Sequence, residues 1–109
     1  MAYDAPMVFI ETPTFTRQIV ALISDAEYRK LQQALADNPE MGDLLQGGGG
    51  IRKLRWAVAG TGKSGGIRSI YFWKKSADQI FMLLAYPKSA KDTLTDQETA
   101  ILRKLVKEL

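Results

Sequence analysis

The chain of 109 residues contains no cysteine and no histidine. Without cysteine there is no disulfide framework, no thiolate metal site and no sulfur nucleophile, a composition that fits a reducing cytoplasm. Without histidine, the most frequent general acid–base and the most frequent metal ligand are both missing. No uninterrupted apolar run approaches the ~20 residues of a membrane span, and the start, Met1-Ala2-Tyr3-Asp4, lacks the basic opening of a signal peptide. These absences leave a single domain over residues 1–109, with room for one modest core and not two. No membrane, metal or cofactor is expected.

What is present is ordinary in amount and uneven in placement. Hydrophobic residues make 46% and charged residues 25%, as in globular domains generally. The net charge of +3 conceals a segregation. Residues 1–50 carry three Lys/Arg against seven Asp/Glu, a net of −4, whereas residues 51–91 carry nine against Asp78 alone, a net of +8. Residues 92–109 return to −1. A block this one-sided repels itself, and a polyanion would relieve the repulsion; the plain alternative is a solvated basic face.

The pattern predicts β-α-α-β-β-β-α, an α+β domain. Met7 to Glu11 reads as a short strand. Thr12-Pro13 then reads as a cap and first helical position, with Phe15 and Ile19 at helical spacing behind it. A second helix opens on Ser24 and Glu27 as a capping box, with Ile23 set to pack on Tyr28, and stops at Asn38-Pro39. After the loop Gly47-Gly48-Gly49-Gly50 come three strand-like runs, Ile51 to Val58, Ile67 to Trp73 and Ile80 to Tyr86. Their connections are too short for a crossover helix, so they should form an antiparallel meander. The last run is apolar on both faces and suits an interior strand. Thr95 and Glu98 form a capping box for a final helix, with Ile101, Leu102, Leu105, Val106 and Leu109 as its inner stripe.

One motif misleads. Ala57 to Ser64, with Gly60, Gly62 and Lys63, fits a relaxed phosphate-loop pattern, but such a loop must open a helix, and here the next run is strand-like. The glycines read better as a long hairpin tip with Lys63 at its end.

Alternation along the first of the three strands puts Lys53 and Arg55 on one face, Leu54 and Trp56 on the other. The next strand supplies Arg68, and the end of the third supplies Tyr86 and Lys88. Such a cluster has neither a metal-ligand set nor a carboxylate pair. It can still cleave RNA, because RNA brings its own nucleophile, the 2′-OH beside the scissile phosphate. The protein needs only to hold the backbone in line, move a proton and stabilise the phosphorane oxygens. Arginine suits the last task. A lysine crowded by other cations, Lys53 or Lys88, suits the acid or base. Tyr86 could stack on a base or donate its hydroxyl, although tyrosine and tryptophan at such positions are often core.

Three segments then coincide: Gly50-Ile51-Arg52-Lys53-Leu54-Arg55, Gly62-Lys63-Ser64-Gly65-Gly66-Ile67-Arg68-Ser69-Ile70-Tyr71, and Leu84-Ala85-Tyr86-Pro87-Lys88. With the helix start at Asp92-Thr93-Leu94-Thr95, the chain resembles the RelE superfamily of bacterial type II toxin–antitoxin toxins, in its HigB-like branch. The resemblance implies an endoribonuclease that cuts translated mRNA on the ribosome and inhibits translation. It also implies a cognate antitoxin, with operator DNA bound only through that partner. Lys53, Arg55, Arg68 and Lys88 become the catalytic candidates, and Arg52, Lys63, Tyr86 and Lys91 the RNA-binding ones. Two other readings stay open: a gyrase-binding toxin on the same superfamily fold, and a non-catalytic RNA- or ribosome-binding module.

Overall fold

The computed structural model describes residues 6–58 and 66–109. Among them, three α-helices cover the two faces of a five-stranded mixed sheet, so the predicted α+β class holds. The first strand, β1 (Val8–Glu11), passes through Thr12 into α1 (Pro13–Leu22); the Thr12 hydroxyl accepts the Phe15 amide at 3.0 Å and Pro13 opens the helix. Ser24 caps α2 (Asp25–Asp37) by accepting the Glu27 amide at 3.1 Å. The reciprocal half of the expected capping box is replaced by an ion pair, the Glu27 carboxylate turning to Lys30 at 3.6 Å.

The three central strands are β3 (Ile51–Trp56), β4 (Ile67–Lys74) and β5 (Gln79–Pro87). They form the antiparallel meander that their short connections require. A two-residue strand absent from the sequence expectation, β2 (Asp43–Leu44), pairs antiparallel with β3, and the four-glycine segment turns between them. On the far side β1 lies parallel to β5, giving the order β1-β5-β4-β3-β2. The predicted hairpin tip, residues 59–65 with Lys63, lies outside the described residues. Gly66, the first described residue after the phosphate-loop pattern, leads directly into β4, so the described residues that follow the pattern form a strand and not the helix such a loop opens.

Two apolar clusters sandwich the sheet. Phe15, Ile19, Leu31 and Leu35 of α1 and α2 pack on Leu54, Tyr71, Ile80 and Met82. On the second face, the one that Lys53, Arg55 and Arg68 share, Leu102 and Val106 of α3 (Asp96–Val106) pack with Ile51, Ile70, Leu83 and Tyr86. β5 is therefore buried on both sides, as its continuous apolar run predicted. The full capping box at Thr95 and Glu98 is made, but the inner stripe of α3 is narrower than expected. Leu102 and Val106 face the sheet, and Leu109, three residues past the end of the helix, packs against the same cluster. Ile101 and Leu105 lie a turn-fraction back and are 62% and 40% exposed.

β1 ends opposite Met82, leaving the rest of the β5 edge to be satisfied by other means. α1 does this with side chains. The Thr12 hydroxyl donates to the Leu83 carbonyl at 2.8 Å, and the Gln18 side-chain oxygen accepts the Ala85 amide at 2.8 Å. No helix among the described residues is long and apolar enough to cross a membrane.

Candidate functional site

The register of β3, β4 and β5 brings the predicted cations to one face. Arg55 stands directly opposite Arg68, and Arg68 directly opposite Tyr86. Lys53 is two residues along from Arg55 and so shares its face. Lys88 comes just after the end of β5, its amide donating to the Gly66 carbonyl at 2.9 Å, and its side chain is exposed. Lys91 extends over the Tyr86 ring, with Nζ 5.1 Å from the centroid, and its ammonium donates to Glu98 at 2.6 Å.

Arg52 is placed elsewhere. The same alternation puts it on the reverse face, where its guanidinium donates to the Glu40 and Gly42 carbonyls at 3.1 and 2.7 Å and lies 3.5 Å from the Glu40 carboxylate. Its work there is to hold the chain before β2. The hydroxyl of Tyr71, itself fully buried, assists by donating to the Pro39 carbonyl at 2.6 Å and accepting the Gly42 amide at 3.0 Å. Gly42 has no room for a side chain: an added Cβ would sit 2.8 Å from the Tyr71 ring.

Facing arginines repel one another across a sheet, and the fold answers with one carboxylate for each. Asp43, delivered by β2, pairs with Arg55. Asp92, in the loop between β5 and α3, takes two cations together. Its Oδ1 accepts from Arg68 Nε at 3.3 Å and Nη2 at 3.0 Å, while its Oδ2 lies 3.5 Å from Lys53 Nζ. Lys53 also donates to the Asp92 backbone carbonyl at 3.1 Å. Lys53 and Arg68 are each only 6% exposed, unusual burial for cations, whereas the Asp92 carboxylate is 63% exposed. The hydrogen bond from Arg68, then the Lys53 charge, hold the Asp92 carboxyl below its ordinary value of 3.8.

Tyr86 is less available than its place in the pattern implied. It is buried among Leu94, Leu102 and Val106, and the Lys91 ammonium covers its ring, so a base could stack there only after Lys91 moved. Its hydroxyl has no hydrogen-bond partner among the described residues. Burial raises its phenol above 10.0 against the opposing pull of Arg68, so it remains a proton donor at neutral pH.

The arrangement therefore offers two buried cations side by side, a third at the rim, and an anion position above them that opens to solvent. It suits charge stabilisation on a tetrahedral oxyanion. Asp43 and Asp92 are the residues that the sequence reading missed. Asp92 is the first residue beyond the +8 block, and it stands in the loop four residues before α3 begins at Asp96. A family model described as the RelE toxin of the RelE / RelB toxin-antitoxin system matches residues 8–109, from the first residue of β1 to the last of the chain.

Proposed function

The chain belongs to the RelE toxin family of RelE/RelB toxin–antitoxin systems, and from that footing we propose that it is a HigB-like, ribosome-dependent mRNA endoribonuclease that arrests translation. Membership makes it a toxin of a toxin–antitoxin system, typically mRNA-cleaving, with a cognate antitoxin as its partner. The finer reading rests on one observation: Lys53 and Arg68, buried on neighbouring strands, converge on the single, solvent-exposed carboxylate of Asp92.

In this reading a backbone phosphate of the message sits above that pair. Arg68 and Lys53 each neutralise a non-bridging oxygen, and Arg55 at the rim holds the adjoining backbone. The 2′-oxygen attacks phosphorus as its proton leaves, the bond to the 5′-oxygen breaks, and that oxygen takes up a proton. The products are a 2′,3′-cyclic phosphate and a free 5′-hydroxyl. Lys53 is already committed as a donor to the Asp92 carbonyl, which suits charge stabilisation; Lys88, exposed at the strand end, is assigned to proton transfer. A site with so little acid–base machinery works poorly on free RNA, and the ribosome supplies the in-line geometry that the protein alone does not.

Primer extension on a translated message, with and without the protein, tests this. Discrete stops that require translating ribosomes are expected, and Arg68→Ala should lower the single-turnover rate by roughly 10²–10³. Intact mRNA accompanied by gyrase-dependent DNA breaks would overturn the proposal, as would an unchanged rate in a folded Arg68→Ala protein.

A further inference from the structure

The carboxylate of Asp92 divides its two oxygens between two cations, Oδ1 to Arg68 and Oδ2 to Lys53. The two non-bridging oxygens of a phosphodiester would make the same division. We propose that Asp92 is a placeholder: in the free protein it fills the anion seat between Lys53 and Arg68, and an RNA phosphate binds by displacing it. This rests on the reading of that face as an RNA site.

Burial makes such an occupant necessary. Two cations with almost no exposed surface, left without an anion, carry an uncompensated desolvation cost. Yet their partner is not buried with them. The Asp92 carboxylate lies on the solvent side, in a loop rather than a helix or strand, so the anion position is filled from outside and can be emptied to outside. The loop need not unfold for this, because Lys53 also holds the Asp92 backbone carbonyl at 3.1 Å. Rotation of one side chain then frees the seat, while the Ala90 amide's hydrogen bond to the Pro87 carbonyl and the Thr95 capping box keep the loop ends in place.

The consequence is a competition whose size can be measured. A ligand that must wait for its seat binds more weakly by the fraction of time the seat is empty. If Asp92 fills it about nine-tenths of the time, removing the carboxylate charge strengthens binding about tenfold. Asp92→Asn retains the shape, the backbone carbonyl and one acceptor oxygen, while it removes the competing charge and turns the second oxygen into an amide donor. A residue serving solely as a structural counter-ion would show no gain in affinity when neutralised.

The test measures binding of a short single-stranded RNA, 2′-O-methylated so that it has no nucleophile, by fluorescence anisotropy over a salt series. Asp92→Asn is expected to lower Kd about tenfold and to steepen the dependence of log K on log salt by about 0.7, one further phosphate-equivalent on a single strand. Arg68→Ala should weaken binding. Should Asp92→Asn fold poorly, the wild-type protein gives the answer by nuclear magnetic resonance. RNA should shift the Arg68 Nε–H signal and the side-chain carboxyl carbon of Asp92 together. If Arg68→Ala weakens binding while Asp92→Asn leaves it unchanged or weakened, the placeholder idea is wrong and the RNA site stands. If neither substitution changes binding, and neither signal moves with RNA, both fail.

Discussion

The hydroxyl of Tyr71 gives a sharp test of how the site is assembled, because its contribution can be worked out from its two partners. Tyr71→Phe removes the acceptor of the Gly42 amide and the donor to the Pro39 carbonyl. Gly42 is buried, so its stranded N–H costs about 1–3 kcal/mol; the lost bond to Pro39, which is only half-buried, costs about 1 kcal/mol. Together they amount to about 2–4 kcal/mol, a large share of the roughly 5–15 kcal/mol of a domain. Urea unfolding followed by tryptophan fluorescence should show a lower midpoint at constant slope, and the thermal midpoint should fall by roughly 10–25 °C. The substituted ring still fills its pocket, so the loss belongs to the hydroxyl alone. A change below about 0.5 kcal/mol would show that the loop before β2 is held by something else, and with it the delivery of Asp43 to Arg55.

Two further outcomes concern contacts that support the fold and its charge balance. Gln18→Ala strands the buried Ala85 amide at the open part of the β5 edge and should cost about 1–3 kcal/mol; unfolding at the wild-type urea midpoint would show that α1 does not seal that edge. Asp92 and Glu98 are both held below their ordinary values of 3.8 and 4.5, chiefly by hydrogen bonds from Arg68 and from Lys91. Carboxyls depressed in the folded state contribute stability that is fully present above those ordinary values and is lost as pH falls through the depressed ones. Stability should therefore be level from neutral pH to about 5 and decline below about 4.5. The Asp92→Asn protein should show a shallower decline, and equal wild-type stability at about pH 3 and about pH 6 would contradict the pairing.

Local signals in the sequence carried the helices and the meander, and long-range ones were out of reach. Thr12, Ser24 and Thr95 mark their helix starts because a cap is chemistry between neighbours three residues apart. Lys53 and Arg55 were placed on one face by the two-residue period of a strand, and that period also sent Arg52 to the reverse face. The parallel pairing of β1 with β5, and the Gln18 contact to Ala85, join residues far apart in the chain and leave no periodic trace. Asp92 was overlooked for a different reason. Charge counting weighs a segment by its sum, so an acidic residue just past a basic block is assigned to the next segment instead of to the cations it neutralises. Ile101 and Leu105 were assigned to the core because apolar character does not by itself tell which side of a narrow stripe a residue occupies.

The hydrogen bond from Thr12 to Leu83 spans 71 positions of sequence, and the whole docking of β1 shares that reach. During synthesis β1 has no sheet partner until β5 (Gln79–Pro87) has been made. The loop-closure entropy for so distant a contact must be met before any of its packing is gained. The core beneath α1 and α2, to which Ile80 and Met82 of β5 contribute, is therefore closed late, when β5 has formed and can receive β1.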